Sequence, residues 1–301
     1  MKKRIMLMSI LLICCFVLPQ MVFGGAWTLP NGSIWIEETV THRYAKWDFD
    51  ADRELARKNR NARQTGWDSV TKAEYGIFDW LTILGGITYK ESNYVEHNRP
   101  PSWGKYDING HAFTEAEVGL KARILEKPVV LSGQIKIQTY LDGKQYTDPV
   151  KGSLTYNSSS TPALHDGHNA LEFRGLVGRK FDTAIPFYLG AEAGYSFRNR
   201  DVCNGFPLFL EGGFWPADML LIKGEIDAYL SHDATGSIEK DYAIWRVGPV
   251  IRLLGAKGKS QTSSVTREGA FLDLTIQYGN TFWGRNVGKD HMYIVKLAAQ
   301  F

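Results

Sequence analysis

From Ile34 onward, apolar and polar residues alternate in segments of about ten residues, the length a tilted strand needs to cross a hydrocarbon layer. In 114–124, Ala116, Val118, Leu120, Ala122 and Ile124 share one face, and Glu115, Glu117, Lys121 and Arg123 the other. The next segment sets Val129, Leu131, Ile135 and Ile137 against Ser132, Gln134, Lys136 and Gln138. A third sets Leu220, Ile222, Ile226 and Ala228 against Lys223, Glu225 and Asp227. This rhythm predicts strands near 33–45, 67–78, 82–94, 113–124, 128–140, 170–180, 186–198, 206–215, 219–230, 241–252, 269–279 and 291–301.

The connections alternate in length. Short turns are expected at Asp79-Trp80, Glu126-Lys127-Pro128, 182–186 and Pro216-Ala217-Asp218. Longer polar connections are expected at about 46–66, 95–112, 141–169, 198–205, 231–239 and 280–290. Short turns on one side and long loops on the other are the habit of bacterial outer-membrane barrels. The predicted fold is therefore all-β: an antiparallel, transmembrane up-and-down barrel of about 12 strands with both termini periplasmic. The stretch 254–268 has loop composition where a turn belongs and is read as a flexible periplasmic excursion. Glu74-Tyr75-Gly76-Ile77-Phe78-Asp79 aligns with 211–218 as a repeated hairpin unit. A water-soluble sandwich would turn Glu117, Lys121, Glu172, Arg174, Lys223 and Glu225 to solvent and has less need of outward aromatics.

The first segment sets the compartment. Lys2, Lys3 and Arg4 precede an apolar run from Ile5 to Leu18 that is too short for a membrane span and reads as a signal peptide. Val22 and Gly24 supply the small −3 and −1 residues, so 1–24 is the expected leader and 25–301 the barrel. A cut after Ala26 is the alternative. Leu11-Leu12-Ile13-Cys14 departs from a lipoprotein site because Ile13 is too large before the cysteine. Beyond the leader no stretch is apolar enough for a membrane helix, whereas a closed barrel needs only alternate apolar residues.

Charge narrows the partners. The 35 Lys+Arg and 32 Asp+Glu become 32 and 32 once Lys2, Lys3 and Arg4 are removed, and a neutral chain argues against nucleic-acid binding. Cys14 and Cys15 leave with the leader, so Cys203 stands alone, with no disulfide or zinc cluster to form, and no cofactor or metal is expected. Asp48, Asp50 and Asp52 have the one-three-five spacing of a calcium loop, but Arg53 replaces its glycine and Asn59 its final glutamate, so a solvated loop is the expectation. The adjacent Arg53, Arg57, Lys58, Arg60 and Arg63 suit lipopolysaccharide phosphates if that loop is external.

In the last segment Tyr293, Val295, Leu297, Ala299 and Phe301 share one face. A terminal aromatic after alternating apolar residues resembles the signal that outer-membrane barrels present to their assembly machinery, so Tyr293, Val295, Leu297 and Phe301 are assigned to it. The inward face is expected to carry Glu74, Glu117, Lys121, Arg123, Lys136, Glu172, Arg174, Glu192, Glu211, Lys223, Glu225, Arg246 and Lys296 as lumen-lining residues. Such groups either pair into a closed ionic core or line a thin water path.

Three strings, Gly25-Ala26-Trp27-Thr28-Leu29-Pro30, Phe49-Asp50-Ala51-Asp52 and Phe282-Trp283-Gly284-Arg285-Asn286, resemble the XagA-like family of outer-membrane barrels, connected by name with exopolysaccharide production. The resemblance covers under a fifth of the chain. It implies a barrel with a polysaccharide-associated role and assigns no mechanism to particular residues.

The expected function is an outer-membrane channel or transporter for a small polar or charged solute, with outer-membrane lipids and lipopolysaccharide around it. A closed structural barrel associated with exopolysaccharide production or export is the second reading. The third, a lipid-modifying enzyme, would draw on His165, Asp166 and His168, or on Ser231-His232-Asp233. Neighbours in sequence seldom form a relayed nucleophile and base, so no catalytic residue is assigned.

Overall fold

A computed structural model describes residues 25–58, 61–97, 106–141, 164, 168–199, 202–232, 239–255 and 270–301. Its strands are β1 (Ile34–Ala45), β2 (Trp47–Phe49), β3 (Leu55–Arg57), β4 (Arg63–Phe78), β5 (Leu81–Glu96), β6 (Tyr106–Leu125), β7 (Val130–Tyr140), β8 (Ala170–Phe181), β9 (Phe187–Arg198), β10 (Asn204–Ala217), β11 (Leu220–His232), β12 (Asp241–Leu254), β13 (Phe271–Arg285), β14 (Val287–Gly288) and β15 (His291–Gln300). Twelve of them, β1, β4 to β13 and β15, form a closed antiparallel barrel. β1 closes it, pairing with β4 on one side and with β15 on the other, from Trp35 opposite Gln300 to Tyr44 opposite His291. Closure leaves no unpaired edge, so each backbone group of the wall has a partner without water.

The alternation of the sequence becomes the two faces of this wall. Phe113, Val118, Ile137, Leu189, Leu210 and Val295 stand exposed on the outside, while Lys121, Glu172, Glu211 and Glu225 are buried inside. Aromatic pairs mark both rims of the outer belt. Phe78 stacks on Trp80 and Phe181 on Phe187 at the short-turn end; Tyr89 meets Phe113 and Trp245 meets Tyr278 toward the other. Such girdles sit where lipid headgroups meet the hydrocarbon.

The strands run farther on the long-loop side than expected. β6 begins at Tyr106, β4 at Arg63, and β13 continues to Arg285, so part of each predicted connection at 95–112, 46–66 and 280–290 is strand. Polar residues keep the backbone paired above the belt, where apolar alternation no longer reports it. β14, β2 and β3 form a small separate sheet over that end. The predicted excursion at 254–268 and the residues His165, Asp166 and Asp233 lie outside the described residues, apart from Leu254 and Gly255.

The repeated hairpin is visible as geometry. In wall order β4 is the second strand and β10 the eighth of twelve, so the two copies face each other across the lumen. Each carries a register shift just before its short turn, at Gly76/Phe78 and at Phe214/Ala217.

Residues 25–31 cross the lumen between these copies. Gly25 N donates to Glu211 Oε1 on β10 at 3.1 Å. The Ala26 carbonyl accepts from Ser132 on β7. Thr28 Oγ1 donates to the Asp79 carbonyl at 2.6 Å, Leu29 N to Thr82 Oγ1 at 2.8 Å and Asn31 N to Asp79 Oδ1 at 2.9 Å, all at the β4–β5 turn. Gly32, with φ +77, turns the chain, and Gly32 N donates to the Gly76 carbonyl before β1 begins. Ala26 and Trp27 join Val130, Leu176, Tyr188 and Trp215 in an apolar cluster inside the barrel. Seven residues reach at most about 23 Å, enough to span the bore of a small barrel.

Candidate functional site

Ion pairs organise the residues expected to line the lumen. Lys121 Nζ lies 2.9 Å from Glu74 Oε2, reaching past the intervening β5, and Arg123 sits 3.8 Å from Glu126 at the turn. One run follows β6 to β9: Lys136 Nζ is 2.9 Å from Glu117 and 3.5 Å from Glu172, and Arg174 is 2.7 Å from Glu172 and 2.9 Å from Glu192. A second run follows β10 to β12: Lys223 Nζ is 2.8 Å from Glu211 and 2.9 Å from Glu225, and Arg246 is 3.6 Å from Glu225 and 2.9 Å from Asp227. Lys296 reaches from β15 to Glu225, 3.4 Å away.

Most of these pairs join neighbouring strands and therefore run along the wall. Lys121 to Glu74 and Lys296 to Glu225 are the longer reaches. A wall-following arrangement satisfies each buried charge while leaving the axis to other occupants.

Accessibility within the lumen differs from pair to pair. The side chains of Arg174, Lys223, Arg246 and Lys296 keep 17–22% of their surface open, whereas Glu172, Glu211 and Glu225 keep 2–5%. Asp227, Glu117 and Glu192 are the more open carboxylates of the two runs, at 32%, 17% and 14%, and Lys136 is the most closed of their cations, at 12%. Around Glu172, Glu211 and Glu225 the cation is the more open partner, whereas Asp227 keeps 32% against 19% for Arg246 and Glu74 keeps 22% against 5% for Lys121.

At the long-loop end a second cluster appears that the sequence did not point to. Asp241, buried, accepts from Arg53 Nη2 at 3.0 Å and from Ser231 N at 2.8 Å, and Arg285 Nε lies 3.3 Å away. The Arg53 guanidinium also lies over the Trp283 ring. Lys58 is buried against Asp48, which removes it from the set offered to lipopolysaccharide phosphates, and Arg53 is likewise engaged inward. Asp50 Oδ1 accepts from the backbone of Asp52 and Glu54, so that aspartate shapes its turn. Arg57 lies over Trp47. Ser231 exchanges hydrogen bonds with the backbone of Lys240, and the His232 ring packs against Phe206, so the pair is not set as nucleophile and base.

On the outward face, Glu38 breaks the apolar pattern between Ile36 and Val40. Its carboxylate accepts from Ser69 Oγ and Thr71 Oγ1 on β4. Alternation alone could have located it, since Glu37 and Glu38 are adjacent and one of them must face lipid. Tyr293, Val295, Leu297 and Phe301 are all outward and exposed on the closing strand.

No family model and no curated protein matches this chain. Among solved structures it is similar to the COG4313 outer membrane channel from Pseudomonas putida F1, with a TM-score of 0.61 and 12% identity, covering 94% of this chain and 100% of that one. The translocator domain of the autotransporter NalP from Neisseria meningitidis aligns at a TM-score of 0.47 and 9% identity, over 90% of this chain and 89% of that domain. At these identities the first likeness speaks to the fold. A closed twelve-strand wall with an apolar outer belt is an outer-membrane β-barrel, and the chain is a protein of the bacterial outer membrane.

Proposed function

We propose that the barrel is a narrow channel for a small polar or charged solute, and that its interior favours anions. The observation that carries this is that Arg174, Lys223, Arg246 and Lys296 are each more open than the Glu172, Glu211 or Glu225 carboxylate they pair with. Rings of inward cations select anions in pores because they lower the cost of removing the ion from bulk water. That the fold-related Pseudomonas putida barrel is named an outer membrane channel agrees with this reading. Residues 25–31 narrow the short-turn end and make the conductance small.

Reversal potentials across a planar bilayer under a salt gradient test it. Purified barrel is expected to pass chloride more readily than potassium, and Lys223→Gln with Lys296→Gln to reduce that preference. A folded barrel that conducts nothing, with or without residues 25–31, would support instead a closed scaffold, the reading that the crossing of the lumen by this segment favours.

A further inference from the structure

Gly25 places its nitrogen inside the wall, beside a strand midpoint. It donates to Glu211 Oε1, and a Cβ at position 25 would come within 1.9 Å of Glu192 Oε1, so both carboxylates close on this one residue. A preceding leader of twenty-four residues would have to thread the same narrow lumen. We propose that leader removal at Gly24–Gly25 creates an α-ammonium group which Glu192 and Glu211 capture, latching residues 25–31 across the barrel. In that step water adds across the Gly24–Gly25 peptide bond; Gly24 leaves as a carboxylate, and the freed Gly25 amine takes up a proton.

The two carboxylates at the seat suit such a group. The two ionic runs set Lys136, Arg174, Lys223, Arg246 and Lys296 against Glu117, Glu172, Glu192, Glu211, Glu225 and Asp227, and Lys72 also faces Glu117 and Glu192. Arg174 is shared by Glu172 and Glu192, and Lys223 by Glu211 and Glu225, so each carboxylate touching Gly25 shares an ion-pair partner with a second carboxylate. An ammonium brings three donors where a peptide nitrogen brings one, and a buried carboxylate gains most from a charged donor. Gly25 suits the seat because any side chain there would strike Glu192.

The latch is independent of what the channel carries, and its test does not use conductance. Protein purified from outer membranes is expected to have the mass of a chain beginning at Gly25. Treated with an acetylating succinimidyl ester, its α-amine is expected to react about tenfold more slowly in the folded barrel than after unfolding, the ratio given by one unit of pKa. Two variants, each checked for heat-modifiable mobility, should abolish that protection: Glu192→Gln with Glu211→Gln, and a chain with two serines inserted between Gly24 and Gly25. The insertion leaves the wall untouched and decides the matter if the glutamine variant fails to fold. A different first residue, equal acetylation rates in folded and unfolded protein, or full protection in the insertion variant would overturn the proposal.

Discussion

Trp27 lies directly on Gly178, where a Cβ would come within 1.9 Å of the indole Cη2. The glycine is the floor of the seat, and Leu176 and Trp215 belong to the apolar cluster around it. Gly178→Leu should lift the indole and free the segment. Trp27→Gly should do the same by removing about 3 kcal/mol of buried packing. Both are expected to keep the mobility of a folded barrel and to raise single-channel conductance; unchanged conductance in both would show that the segment does not narrow the path.

Lys223 bridges Glu211 and Glu225 and screens their mutual repulsion. Lys223→Met leaves two buried carboxylates facing each other and should lower barrel stability by about 3–5 kcal/mol, the cost of breaking a buried pair. Adding Glu211→Gln should recover much of that loss. Thermal unfolding followed by electrophoretic mobility measures both, and a double variant no better than the single one would mean that Lys223 acts through packing.

Lys296 and Leu297 are neighbours on opposite faces of β15, the lysine toward the lumen and the leucine toward lipid. In a Cys203→Ala background, Lys296→Cys should react with a charged, water-soluble methanethiosulfonate reagent. Leu297→Cys should resist it and react with a membrane-partitioning maleimide. Equal labelling of the two would mean that the wall is not sealed between them.

Glu38 is an ionisable group on the lipid face, held by Ser69 and Thr71. Removing a charge from that face relieves part of a cost of order 1–2 kcal/mol, smaller for a carboxylate than for a basic group. Glu38→Gln keeps an acceptor for one hydroxyl and should raise thermal stability. A fall of similar size would instead assign the carboxylate a needed ionic partner at the membrane surface.

Cys203 lies between β9 and β10, outside the strands, and burial pushes its thiol up. A raised value lowers the thiolate fraction at every pH below it, and the thiolate is the species that alkylates. Iodoacetamide at pH 8 should therefore leave the folded barrel unmodified and react on unfolding. Rapid modification of the folded form would place this thiol in open solvent.

The wall was legible because lipid outside and polar lumen inside impose a period of two on each strand. Lys121 and Leu120, or Lys223 and Ile222, could be assigned to faces from spacing alone. The lumen-crossing segment was not legible. Gly25-Ala26-Trp27-Thr28-Leu29-Pro30 has no period, and its partners are scattered from Asp79 to Glu211. That Gly178 is a seat becomes visible only when β8 stands beside Trp27. The small sheet of β2, β3 and β14 escaped for a related reason: runs of two or three residues cannot show alternation. Which cations stand forward and which carboxylates lie back depends on side-chain reach across the bore, and the pattern of charges along each strand carries no sign of it.

The hydrogen bond from Gly25 to Glu211 joins residues 186 apart in sequence. At the start of biogenesis the second partner does not yet exist in folded form, and Trp27 has no floor until β8 is in place. The first residues to emerge are thus among the last to find their position, after most of the wall is built and about when β1 meets β15. Contacts of such separation form slowly, since a long chain must be ordered before they repay it. An assembling barrel is therefore expected to pass through a stage in which residues 25–31 do not yet cross its bore, and a cell making it in quantity is expected to leak in proportion to its rate of synthesis.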